Sequence, residues 1–133
     1  MPGLDASSTR HDGVTVVALN GELDLATADT LVAQIAKAYK QAPGLVLDLT
    51  ELVFIDSAGL GVLLQAQRKA TEHGGAVALA SCRPQVARAL QLSGLDSRIP
   101  CYATAAQALT DHSFTARSPT DKSSRGGNGR VIE

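Results

Sequence analysis

Residues 54–61 read FIDSAGLG, in which Asp56 directly precedes the hydroxyl of Ser57. A serine at the start of a helix can accept hydrogen bonds from the free backbone N–H groups of the first turn, so Ser57 is predicted to be an N-cap. Gly59 and Gly61 would keep that turn open, so that another protein could approach and a kinase could reach the hydroxyl. The residue types therefore allow two interpretations: an ordinary helix cap, or a phosphate acceptor on a partner-binding surface.

A phosphate on Ser57 would act mainly through its charge, about −1.5 to −2 at neutral pH. Attraction to the positive end of the helix, roughly 0.3–1 kcal/mol, would be opposed by repulsion from Asp56, so the fold should change little. Within an interface the phosphate would be desolvated beside Asp56 and Asp24. A penalty of ~3–4 kcal/mol would weaken binding several hundred-fold, which describes a switch that excludes a partner without refolding.

The apolar pattern predicts nine elements in the order ββαβαβαβα. Strands are predicted over residues 4–10, 14–19, 45–49 (extended through 52–55), 76–80 and 99–102, and helices over 26–40, 57–73, 85–93 and 104–110. Strands that alternate with helices imply parallel pairing through right-handed crossovers. The fold class is therefore α/β, with a mixed, mostly parallel five-stranded sheet and helices packed against it. Residues 1–112 are predicted to form this domain, and residues 113–133, rich in Ser, Gly and charge, a flexible tail.

The predicted sheet brings acidic side chains close to Ser57. The strands at 14–19 and 45–49 should be parallel neighbours, so their carboxyl ends share the edge where open α/β sheets carry functional sites. That edge would gather Glu22 and Asp24 after the earlier strand, and Asp56 and Ser57 after the later one.

Two segments resemble the signature of anti-sigma factor antagonists built on a STAS domain. Residues 19–24 read LNGELD and are followed by Thr27 and Leu31, and residues 46–63 read VLDLTELVFIDSAGLGVL. A weaker match, LQLSGL at 90–95, resembles the family's third-helix ending. The long second segment, placed directly after a strand, is the most specific of the three.

The resemblance implies a STAS fold and a switch of partners. In this family the unphosphorylated protein binds an anti-sigma factor that is also a serine kinase, and so frees a sigma factor; phosphorylation abolishes the binding and a protein phosphatase restores it. The acceptor is the serine after Asp in D-S-[SA]-G, which corresponds to Ser57. Many relatives carry a second serine where this chain has Ala58. The implied partner-binding residues are Asp24, Asp56, Ser57, Ala58, Gly59 and Leu60, on a protein expected to be a monomer outside the complex.

Three other functions compete with this one. A phosphoaspartate receiver, suggested by Asp48 within LVLDL, would need an acidic pair after its first strand and a late lysine, yet no lysine occurs between Lys69 and Lys122. A serine hydrolase would need GxSxG and a nearby base, but His73 stands at the far end of the helix that Ser57 begins. The chain is therefore expected not to be an enzyme. A STAS scaffold or accessory subunit of a stress-signalling or transport complex stays open.

Composition limits the remaining function classes. A net charge of −1 and 3% aromatic residues give no surface for nucleic acid. No apolar run approaches the ~18–20 residues of a membrane span, and no signal peptide is visible, so a cytoplasmic protein is expected. Cys82 and Cys101 lack zinc-site spacing, which leaves two interpretations, small buried hydrophobes or a redox pair, and no metal or cofactor is expected.

Overall fold

The computed structural model describes residues 3–111, in which five strands and four α-helices alternate as predicted. Their bounds are β1 Leu4–His11, β2 Val14–Leu23, α1 Ala28–Gln41, β3 Gly44–Ile55, α2 Ser57–Glu72, β4 Ala76–Ala80, α3 Pro84–Ser93, β5 Cys101–Tyr102 and α4 Ala105–Thr110, with a 3-10 turn at Leu95–Ser97. The order ββαβαβαβα is confirmed. The predicted tail, residues 113–133, lies outside the described residues.

The strands form one sheet in sequence order, β1-β2-β3-β4-β5. β1 runs antiparallel to β2 across a turn at Asp12 and Gly13, and every other pair is parallel. Asp12 takes the left-handed conformation (φ 56°) that tight hairpin turns require. The predicted fold class, a mixed and mostly parallel α/β sheet, is therefore confirmed.

The alternation of side chains along the strands builds two apolar layers of unequal size. Leu45 and Leu47 of β3 face the main core, which they share with buried residues of α1, α2 and α3. Val46, between them, faces the opposite side, where Ala108 of α4 packs in a smaller cluster. Aliphatic side chains supply this core, as a chain with 3% aromatic residues requires.

β2 is longer than predicted, since it continues through Asn20 and Gly21 to Leu23. Its register with β3 shifts between Ala18 and Asn20 and again between Gly21 and Glu22. Asn20 and Gly21 therefore form an irregularity inside the strand. Gly21 has φ +124°, and a Cβ there would lie 2.1 Å from the Gly3 carbonyl oxygen. The predicted strand end at Leu19 is thus wrong, and Glu22 lies within β2.

Candidate functional site

The ends of β2 and β3 are bound to each other at the carboxyl edge of the sheet, as the parallel pairing predicts. The backbone N–H of Asp56 donates to the carbonyl oxygen of Leu23 at 3.1 Å. In return, the N–H of Leu25 donates to Oδ2 of Asp56 at 3.2 Å. These two bonds join the β2–α1 loop, residues 24–27, to the start of α2, so both segments belong to one surface.

The N-cap of α2 is Asp56, and the prediction that Ser57 caps this helix is wrong. Asp56 is extended (φ −112°, ψ −172°), and its Oδ1 accepts the N–H of Gly59 at 3.0 Å. Asp and Ser are comparable N-caps, so local preference does not separate them. The additional bond from Leu25 holds the Asp56 side chain in the capping position, and Ser57 becomes the first residue of the helix.

Ser57 is exposed at this helix start. Because Asp56 already accepts the Gly59 N–H, the serine hydroxyl is not needed to complete the cap. Among the described residues 3–111, the Ser57 hydroxyl has no hydrogen-bond partner. The side chain is therefore presented to solvent, as an acceptor of a transferred group would have to be.

Asp24 and Thr27 organise the loop that is bound to Asp56. Oδ1 of Asp24 accepts the backbone N–H of Thr27 at 3.1 Å, and the Thr27 hydroxyl accepts the N–H of Asp24 at 3.0 Å. The same hydroxyl donates to the Glu22 carbonyl oxygen at 2.8 Å. Asp24 is half-buried, and its carboxylate shapes the loop as well as adding charge to it. Sequence reasoning placed Thr27 near the helix start but missed this bracing role.

Gly59 does not open the first turn of α2 to a partner, contrary to the sequence-based prediction. It is buried, and a Cβ there would lie 2.7 Å from Leu23 Cγ and 2.8 Å from Ile55 Cγ1. Glycine is needed because the helix packs directly on the ends of β2 and β3. Gly61 differs: a Cβ there would meet no atom within 4 Å, so that side of the helix is open.

The remaining predicted residues lie around the serine at different depths. Ala58 and Leu60 are half-buried, and Leu60 packs against the main core while keeping part of its surface exposed. Two large apolar side chains that the sequence did not single out are also exposed: Leu25, at 80%, lies in the loop bound to Asp56, and Phe54, at 47%, lies near the end of β3. Large exposed apolar groups beside an acceptor are features of a protein-binding surface.

Within residues 3–111, no group of three or more His, Cys, Asp and Glu side chains is placed to hold a metal ion. In that stretch, no helix combines the length and the apolar character needed to span a membrane.

Comparisons with known proteins identify the family. The STAS domain profile matches residues 5–108. The chain is 38% identical over 110 residues to an anti-sigma F factor antagonist of Paenibacillus polymyxa, a match that covers 81% of this chain and 94% of the relative. A crystal structure of an anti-sigma factor antagonist from Mycobacterium paratuberculosis superposes with a TM-score of 0.73 at 34% identity, covering 80% of this chain and 92% of that one.

A second solved relative is known in two chemical states. The anti-sigma factor antagonist SpoIIAA in its unphosphorylated form gives a TM-score of 0.68 at 27% identity, covering 79% of this chain and 93% of that one. The Bacillus cell fate determinant SpoIIAA in the phosphorylated form gives a TM-score of 0.62 at 26% identity, covering 79% of this chain and 96% of that one. The profile matches most of the chain, and the sheet topology and these relatives agree with it. The chain therefore belongs to the STAS domain family.

Proposed function

We propose that this chain is an anti-sigma factor antagonist: unphosphorylated, it binds an anti-sigma factor that is also a serine kinase, and phosphorylation of Ser57 abolishes the binding. The observation that carries the proposal is the position of Ser57. It is exposed at the first residue of α2, while the capping task is done by Asp56. A hydroxyl released from capping can be modified without disturbing the start of the helix.

The charge around Ser57 explains how a phosphate would act. The strongest anion position at the helix start, the Gly59 N–H, is already filled by Asp56 Oδ1. A phosphate on Ser57 would therefore project outward beside the Asp56 carboxylate, with a second carboxylate, Asp24, in the loop that Asp56 binds. Exposed to water, this costs little, since screening is strong at the surface. Buried against a partner, the added charge of about −2 would be desolvated next to like charges, which strongly opposes the complex.

The same surface offers what a binding partner requires. Leu25 supplies exposed apolar area, and Ala58 and Leu60 add partly exposed apolar groups along α2. Asp24 and Asp56 form its acidic part, which would contribute to orientation and specificity more than to affinity. Gly59 contributes by packing α2 on Leu23 and does not contact the partner itself. The interface proposed here is thus centred on Ser57 and built from residues of both joined segments.

The names of the relatives support this proposal. The Paenibacillus and mycobacterial proteins are antagonists of anti-sigma factors, and SpoIIAA exists in a phosphorylated and an unphosphorylated form. A cycle of this kind requires a kinase, which we propose is the anti-sigma factor itself, and a protein phosphatase that restores the unphosphorylated chain. Because the kinase consumes ATP, we place the cycle in the cytoplasm.

The test is to map the phosphate. The purified chain is incubated with ATP and each anti-sigma factor of its organism that carries a serine-kinase domain, and the modified peptide is located by mass spectrometry. We expect one phosphate on Ser57, absent from Ser57→Ala and retained in Ser8→Ala, an exposed serine of β1 that serves as the matched control. No phosphorylation and no binding by any of these kinases would reject the proposal.

A further inference from the structure

The two cysteines of the described chain lie at the edge of the sheet where β4 pairs with β5, Cys101 on β5 and Cys82 just after β4. Cys101 is the first residue of β5, which pairs in parallel with β4 through Leu79↔Cys101. Cys82 follows β4 by two residues, after Ser81, which takes a left-handed conformation (φ 60°) and turns the chain. Both cysteines are free thiols.

Backbone and side-chain bonds hold the two segments together around the thiols. Beyond the regular strand pairing, the N–H of Ser81 donates to the Tyr102 carbonyl oxygen at 3.0 Å, and its hydroxyl donates to the Ala103 carbonyl oxygen at 3.2 Å. The chain beside Cys82 is therefore fixed against the chain that follows Cys101. Because both segments are fixed in this way, no large movement of a loop is needed to bring the two thiols together.

The two thiols lie near one another where β4 pairs with β5, and their surroundings differ. The Cys101 thiol donates to the Ile99 carbonyl oxygen at 3.5 Å. Interaction with the neighbouring Cys82 thiol lowers the pKa of Cys101, against the opposing effects of partial desolvation and of the Asp96 carboxylate. The same interaction, reinforced by desolvation, raises the pKa of Cys82. Cys101 is exposed, whereas Cys82 is half-buried against the main core. One sulfur is thus accessible and more readily ionised, and the other is shielded but adjacent.

We propose that Cys82 and Cys101 form a redox-active dithiol, which a peroxide converts into an intramolecular disulfide. In the first step, the Cys101 thiolate attacks one peroxide oxygen; the O–O bond breaks, a Cys101 sulfenic acid forms, and the other oxygen leaves as hydroxide and takes up a proton to become water. In the second step, the Cys82 sulfur attacks the Cys101 sulfur, the S–O bond breaks, and the leaving hydroxide takes up the proton of the Cys82 thiol to become a second water. Two thiols are oxidised by two electrons, and one hydrogen peroxide is reduced to two waters.

The disulfide would act as a reversible staple on one side of the domain. It would close the segment that contains α3 and the 3-10 turn, which lies between the two cysteines. Next to Cys82, the Arg83 side chain donates to the Thr50 carbonyl oxygen of β3 at 2.8 Å and pairs with Glu51 at 3.5 Å. Oxidation would therefore tie β5 to the point where α3 begins and contacts β3. The chemistry needs no partner protein and does not depend on the function proposed for Ser57.

The experiment uses the full-length chain with hydrogen peroxide as the probe. Native protein at low micromolar concentration is treated, alkylated under non-reducing conditions and digested for peptide mass spectrometry. We expect two alkylated cysteines before treatment and, after it, a peptide pair linked through Cys82 and Cys101 that dithiothreitol returns to two free thiols. Any of three results would overturn the proposal: both cysteines stay free, they are oxidised without becoming linked, or they form a disulfide between separate chains.

Single variants test which sulfur reacts first. In Cys82→Ser, the sulfenic acid on Cys101 has no partner thiol, so dimedone should trap it. The Cys101 thiol of this variant should react with peroxide at a rate close to that of thiol loss in the wild type. In Cys101→Ser, Cys82 should react with peroxide at least about tenfold more slowly, because its thiolate is scarce and shielded. Equal rates in the two variants, or a faster Cys82, would contradict the assigned roles. The wild-type result stands without the variants, so a variant that folds poorly does not remove the test.

Discussion

The carboxylate of Asp56 accepts the backbone N–H of Leu25 at 3.2 Å, across 31 residues of sequence. Its second oxygen caps the helix that begins at the next residue, by accepting the Gly59 N–H at 3.0 Å. One side chain therefore fixes the position of the β2–α1 loop and the start of α2 at once. Ser57 lies directly beside this junction, so the geometry of the proposed interface depends on Asp56.

Asp56→Ala should lower the free energy of unfolding by about 1–3 kcal/mol, because it removes the helix cap and leaves the Leu25 N–H unpaired. Asp56→Asn keeps an oxygen for one of the two bonds, so its free energy of unfolding should fall by less than that of Asp56→Ala. Asp5→Ala, an exposed carboxylate of β1 with no such role, should change stability by at most ~0.5 kcal/mol. Urea unfolding of the three variants measures these differences, and equal stability of Asp56→Ala and Asp5→Ala would contradict the role of Asp56.

Alanine at the two glycines of the first turns of α2 should have opposite effects. Gly59→Ala places a methyl group 2.7 Å from Leu23 Cγ and should destabilise the domain by about 1–3 kcal/mol. Gly61→Ala, where the space is open, should stabilise it by about 0.5–1 kcal/mol, since alanine favours the helix and restricts the unfolded chain. Thermal or urea unfolding of both variants decides the matter, and a change of the same sign at both positions would show that the packing of α2 is misassigned.

Tyr39 should make stability depend on pH in the alkaline range. Its hydroxyl donates to the Ala66 carbonyl oxygen at 2.8 Å and so joins α1 to α2, and burial raises its pKa. With a folded pKa above the unfolded value of about 10, the contribution of the neutral phenol is complete below pH ~10 and declines as the pH rises beyond it. The free energy of unfolding of the wild type should exceed that of Tyr39→Phe by about 1 kcal/mol at pH 8, and this difference should be smaller at pH 11. A difference that stays constant over this range would contradict the assignment.

The elements of the fold were predictable because each carries its own periodicity. The apolar runs of β3 and β4 and the apolar stripes of the helices need no distant information. The site was predictable only in outline. Parallel strand order and the family resemblance brought Asp24, Asp56 and Ser57 to one edge of the sheet.

The details that were missed depend on contacts distant in sequence. Asp56 and not Ser57 caps α2 because Leu25, in another loop, donates to the Asp56 carboxylate. Gly59 faces inward because the ends of β2 and β3 set the rotation of the helix, and a glycine pattern does not report which face is buried. The exposure of Leu25 could not be predicted, since a leucine near a helix start ordinarily suggests burial.

Leu25 should matter for binding and little for folding, since it is 80% exposed at the proposed interface. Leu25→Ala should weaken binding to the anti-sigma factor about tenfold, equivalent to ~1.4 kcal/mol, while the midpoint of urea unfolding stays nearly unchanged. Leu92→Ala on α3, at 76% exposure, removes the same side chain elsewhere and should leave the affinity unaltered. Calorimetric titration of both variants provides the comparison; equal affinities would mean that the β2–α1 loop lies outside the interface.

We propose that one phosphate on Ser57 separates a binding from a non-binding state of the same fold. The direct measurement is the affinity of the anti-sigma factor for the unphosphorylated chain and for the chain fully phosphorylated at Ser57, with circular dichroism of both. We predict a loss of at least about a hundred-fold in affinity, ~2.7 kcal/mol, with unchanged spectra, and Ser57→Ala binding like the unphosphorylated protein. Affinities of the two forms within about threefold of each other would contradict the account.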